Sequence, residues 1–178
     1  TIILLSGLFI NSMLNQPSTS QTVSSTSEPK AAIVDHLSLS RPNQTFIQTT
    51  TNILEKAGFS VDYYKGEEVT VEFYRNLPTH AYGLIILRVH SGYNPSMQIV
   101  GMFSSELYSK SKYLHEQLTD QLVKVTFNYP PEETDPVYFG ITPLFVKNGM
   151  RERFQNSLII MMGCDGLKYP SLAEAFIH

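Results

Sequence analysis

A single cysteine, Cys164, stands in the 178 residues. No intrachain disulfide can form and no cysteine-based zinc cage is available, so the thiol is either a small buried hydrophobe or a reactive group. The five histidines, His36, His80, His90, His115 and His178, contain no H-x-x-x-H step. There is also no Gly-rich phosphate loop of the G-x-G-x-x-G or G-x-x-x-x-G-K-[ST] kind. Metal and nucleotide chemistry are therefore unsupported, and no cofactor or metal is expected. Lys and Arg do not cluster and the net charge is −3, which argues against a nucleic-acid partner, because phosphate binding needs positive charge concentrated on one face.

What is present suits one domain with a tail: 42% of the residues are hydrophobic, enough for a real core. Residues 1–14 (TIILLSGLFINSML) are apolar and uncharged, and they give way to NQPSTSQTVSSTSEP. An apolar run of ~10–14 residues fits a signal-peptide core better than a complete membrane span, which needs about 20. The run opens without Met or a positive segment, so we read it as an incomplete signal peptide or membrane anchor that has lost its first residues. A buried N-terminal helix is the competing reading. The expected organisation is that segment over 1–14, a Ser/Thr-rich linker over 15–29 and a folded domain over 30–178. Its expected address is extracytoplasmic, secreted or membrane-anchored, with membrane contact only through the N-terminal segment.

From residue 30 onward strands and helices alternate. Residues 31–37 (AAIVDHL) read as a short buried strand. Pro42 then opens a helix with Phe46, Ile47, Ile53, Leu54 and Ala57 on one face and Gly58 as its stop. Residues 59–65 (FSVDYYK) make a second strand, and a right-handed crossover sets the two parallel. Residues 67–77 fit helix or strand. The run YGLIILRV over 82–89 is nearly all apolar, as a strand covered on both faces must be. Between Tyr93 and Asn156 the texture suggests a hairpin-rich insertion, with strands at 98–103 and 123–129, a helix carrying Leu114, Leu118 and Leu122, and a loop at 130–136. SLIIMM over 157–162 returns to the sheet, and PSLAEAFI starts another helix near Pro170. The alternation predicts a doubly wound α/β fold, in which ligands bind at the carboxyl ends of the strands.

Two groups able to act as nucleophile and base follow the two most apolar strands: His90 in His90-Ser91-Gly92, and Cys164 in Gly163-Cys164-Asp165-Gly166. If the strands are parallel neighbours, both side chains face one cleft. A thiol of pKa ~8.5 is mostly protonated at neutral pH, and an adjacent imidazole that takes its proton makes it a competent nucleophile. Gly92, Gly163 and Gly166 permit the close backbone approach that lets main-chain N–H groups, those of Cys164, Ser91 and Gly92, point at a developing oxyanion. The competing reading is a structural cysteine at a strand end. His36 reads as a loop histidine, and His80 and His115 as exposed. Tyr63, Tyr64, Phe73 and Tyr82 read as core or sheet-face aromatics, and Asn43-Gln44-Thr45 fits a glycosylation sequon.

With LIILRVHSG, SLIIMMGCDG and PSLAEAFI in place, the chain resembles the caspase-like (clan CD) cysteine peptidases. Cys164-Asp165-Gly166 matches the C-x-G core of their signature. The family usually has Gly directly after the histidine, where this chain has Ser91. The resemblance implies a caspase-like three-layer sandwich with a mostly parallel central sheet, here truncated at the C-terminus before the strands that complete sheet and pocket. It also implies a His–Cys dyad that hydrolyses peptide or protein substrates through a thioester without metal, and a P1 pocket for which Asp35 and Arg41 are candidates. The rival function is a catalytically silent caspase-like binding or scaffold domain. A flavodoxin-like sheet would need a phosphate loop after the first strand.

Overall fold

A computed structural model describes residues 28–94, 97–128, 132–164 and 169–177. The expected N-terminal segment and most of the linker lie outside the described residues, as do Asp165 and Gly166. The elements run β1 (Lys30–Asp35), α1 (Gln44–Lys56), β2 (Ser60–Lys65), α2 (Val71–Asn76), β3 (Leu84–Arg88), β4 (Ser91–Asn94), β5 (Ile99–Leu107), α3 (Leu114–Leu118), β6 (Leu122–Val125), β7 (Tyr138–Ile141), α4 (Pro143–Asn148), β8 (Leu158–Met162) and α5 (Ser171–Ile177).

The strands form two sheets. One is parallel in the order β2-β1-β3-β8, the other antiparallel in the order β4-β5-β7-β6. The chain is thus α/β, with the expected hairpins collected in a sheet of their own. The inner strands β1 and β3 alternate their side chains between two clusters, as pleating requires. Ala31, Ile33 and Ile86 face α1, which buries Ile47 and Leu54 on them. Each such aliphatic side chain contributes about 1.5–3 kcal/mol when fully buried. Ala32, Val34, Ile85 and Leu87 face the larger core, built with Val71 and Tyr74 of α2, Phe145 of α4, Leu172 and Ala175 of α5, and the inner residues of β5 and β7.

Local chemistry sets the helix boundaries. The Asn43 side chain accepts from the Phe46 N–H at 3.0 Å and starts α1 two residues after Pro42. Gly58, at φ +89°, supplies the left-handed step that ends it. The undecided stretch after β2 is the helix α2, because the Thr70 hydroxyl caps it by accepting from Phe73 N–H. Four expectations need correction. The first strand stops at Asp35, and His36–Leu39 form a 3-10 turn. Ile53 lies off the buried face of α1, 61% exposed, and Ala57, the residue after its last turn, is exposed too. The leucine stripe is no core face: Leu114 and Leu118 are exposed, Asp120 at φ +56° breaks the chain direction, and the buried Leu122 opens β6. The last apolar strand is half-covered, with Leu158, Ile160 and Met162 exposed. It forms the sheet edge, and α1 covers Ile86 but not its in-register neighbour Ile160.

Candidate active site

The register of the parallel sheet aligns the two chemistry-bearing turns. β3 and β8 are hydrogen-bonded neighbours whose last pair is Arg88 with Met162, and Val89 N–H still donates to Met162 O at 3.3 Å. His90 and Cys164 each follow two residues later, so both stand at the carboxyl edge of adjacent strands. His90 is half-buried and Cys164 is exposed.

The imidazole of His90 is held from the β1 side. Its Nε2 lies 2.8 Å from the Ser40 hydroxyl, on the loop between β1 and α1. That loop is tied down by Arg88. One guanidinium nitrogen donates to the Asp35 carboxylate and the other to Arg41 O at 2.6 Å, while Tyr63 O–H donates to Asp35 at 3.2 Å. A residue two positions before the histidine therefore fixes the carbonyl of Arg41, the residue next to Ser40. Burial, followed by the positive charges of Arg41 and Arg88, pulls the His90 pKa below its usual 6.5. At neutral pH the imidazole is uncharged and able to accept a proton.

Aromatic rings pack around it. Phe127 stands edge-on at 4.9 Å between centroids, and Phe103 and His36 each lie at 5.8 Å. His36, expected in a loop, is fully buried. Among the described residues neither of its ring nitrogens has a hydrogen-bond partner of good geometry, although the Ser104 backbone acts in favour of the charged ring. Burial and the neighbouring His90 lower its pKa to about 4.

On the other side, Ser91 Oγ donates to the Cys164 carbonyl. Gly163 is pressed against the same hydroxyl, since a Cβ there would lie 2.6 Å from Ser91 Oγ and 3.1 Å from Val89 O. Among the described residues no hydrogen bond joins the thiol to the imidazole. Of the expected oxyanion donors, Ser91 and Gly92 open β4, paired in register with Met102 and Gly101 of β5. Asp35 is 1% exposed and its carboxylate is engaged by Arg88, whereas Arg41 is exposed. His80 and His115 are exposed as expected, and Tyr82 is buried, its hydroxyl donating to Asp62 at 2.6 Å.

Ser40, Arg88, His36 and Phe127 carry no motif that singles them out, and only the fold brings them to His90. Among the described residues no group of three or more His, Cys, Asp or Glu side chains is placed to hold a metal ion, and no helix is long and apolar enough to cross a membrane. Comparison with protein-family models, curated proteins and solved structures finds no match to this chain.

Proposed function

We propose that the chain is a caspase-like cysteine peptidase domain in which Cys164 is the nucleophile and His90 the general base and acid. The observation that carries this reading is the in-register pairing of β3 with β8, which sets the two turns side by side at one sheet edge. Neutral His90 removes the thiol proton, and the thiolate attacks the peptide carbonyl. The C–N bond breaks as imidazolium protonates the leaving amine, and water then releases the acid from the thioester with His90 again as base. Ser40 on Nε2 fixes the ring orientation and leaves Nδ1 for the thiol. Arg41, exposed and close enough to depress the His90 pKa, is the better P1 contact, favouring acidic side chains; Asp35 has no free charge to offer.

The extracytoplasmic address rests on residues 1–14 alone. A silent binding domain of the same fold is the second reading, favoured by the engagement of His90 Nε2 with Ser40 while the thiol has no hydrogen bond to the ring. The test is hydrolysis of a P1-diverse fluorogenic peptide library by the full chain and by Cys164→Ala and His90→Ala. Cleavage lost in both variants supports the peptidase; no cleavage by wild type on any peptide leaves the binding domain.

A further inference from the structure

The two strands that carry His90 and Cys164 stay in contact beyond their last ladder pair, first through Val89 N–H to Met162 O and then through one side chain. Ser91 is 9% exposed, and its hydroxyl donates at 2.5 Å to the carbonyl of Cys164 itself. The approach is possible because residue 163 has no side chain, as a Cβ would lie 2.6 Å from that hydroxyl. Ser91 is anchored in turn: it begins β4 opposite Met102, and His90 O accepts from Phe103 N–H at 2.9 Å. The base and this hydroxyl are thus consecutive residues on one braced segment. Ser40 on the β1 side holds the imidazole, and Ser91 on the β8 side holds the nucleophile's peptide.

We propose that Ser91 is a positioning residue that clamps the Cys164 turn against β3 and so sets the reach between thiol and imidazole. The inference rests on the dyad reading and extends it. Reach matters at this scale, since misplacing a reacting group by about 1 Å costs roughly 100-fold in rate. The hydroxyl itself contacts no reacting atom. Its loss therefore acts on how far the thiol behaves as part of a pair.

The experiment measures the rate of Cys164 alkylation by iodoacetamide against pH in the full chain, for wild type, Ser91→Ala, Ser91→Thr, Gly163→Ala and His90→Ala. An isolated thiol titrates near ~8.5, the profile expected of His90→Ala, while a paired thiol stays reactive well below that pH. Ser91→Ala is expected to lose roughly ten-fold or more of the rate at pH 6.5 and to approach the His90→Ala profile, with Ser91→Thr, which keeps the hydroxyl, close to wild type. Gly163→Ala crowds the clamp from the other strand and is expected to behave like Ser91→Ala, which keeps the test open if that variant does not fold. If wild type differs from His90→Ala while the folded clamp variants match wild type, the clamp is refuted and the dyad stands. A wild-type profile identical to His90→Ala refutes the dyad and the clamp together.

Discussion

Replacing Arg88 by methionine is the most demanding test of how this sheet edge is built. The Arg88 side chain is 10% exposed and that of Asp35 is 1% exposed, so the pair sits in a low-dielectric site. Methionine fills much of the same volume but leaves the Asp35 carboxylate buried with the Tyr63 hydroxyl as its remaining partner. Removing one partner of a buried pair costs about 3–5 kcal/mol, mostly the penalty of the uncompensated charge. Against a total stability of ~5–15 kcal/mol, that is a large fraction. At ~2–4 °C per kcal/mol for a chain of this size, Tm should fall by roughly 6–20 °C. Urea unfolding of the full chain gives the free energy directly. The double variant Asp35→Leu/Arg88→Met removes both charges and should recover most of the loss, because buried pairs replaced by apolar groups are often neutral or better. A loss under ~1 kcal/mol in Arg88→Met, or no recovery in the double variant, would refute the claim that this pair is electrostatically committed. Arg88→Met also frees Arg41 O, so the His90 ring resonances should broaden or shift.

Four further outcomes follow from named contacts. Ser40→Ala removes the partner of His90 Nε2. A net hydrogen-bond contribution of ~1 kcal/mol corresponds to about a five-fold fall in kcat/KM on any peptide the library yields, and an unchanged kcat/KM would remove Ser40 from the site. Arg41→Gln takes away a charge that depresses the His90 pKa; the imidazole titration followed by NMR should move up toward 6.5, and a downward shift would contradict the placement. For His36 the folded pKa, about 4, lies below the unfolded 6.5. The unfolded chain therefore binds the extra proton first, and stability is lost as pH falls from 6.5 to about 4, by about 3 kcal/mol in total. Urea titrations across that window should be flatter in His36→Phe by about that amount. Gly140→Ala should cost about 1–3 kcal/mol in the same assay, since the added methyl would meet Val125 Cγ1 at 2.5 Å and Val123 Cγ2 at 3.1 Å.

Where a single force decides, the amino-acid order was readable. The apolar runs before His90 and Cys164 fold as strands, and Gly58 ends α1 with a positive φ. The parallel crossover from β1 to β2 follows from helix length and chirality alone. Burial was harder, because apolar periodicity says which residues share a face and not what covers that face. SLIIMM and LIILR look alike as text, yet β3 is interior and β8 is an edge. Leu114, Leu118 and Leu122 have helical spacing, but a left-handed Asp120 separates them into the exposed helix α3 and a strand, β6, that opens on the buried Leu122.

The candidate site divides along the same line. The placement of His90 and Cys164 after neighbouring parallel strands was legible because the two apolar runs that precede them announce themselves. Ser40 and Arg88 were not, because a serine in a polar loop and an arginine at a strand end have many possible partners, and only the register of β1 with β3 selects among them. That register pairs Asp35 with Arg88, so on the proposed peptidase reading the Asp35 carboxylate is engaged and Arg41 is the remaining P1 candidate. If the chain is the proposed peptidase, a backbone alignment bears on its substrate preference, because the strand residue that faces Asp35 decides whether that carboxylate has a free charge to present. Exchanging the partners, Asp35→Arg with Arg88→Asp, should preserve folding and, on that reading, leave any preference for acidic peptides unchanged, since Arg41 would carry it. A reversal toward basic peptides would mean that the buried pair, not the loop arginine, contacts the substrate.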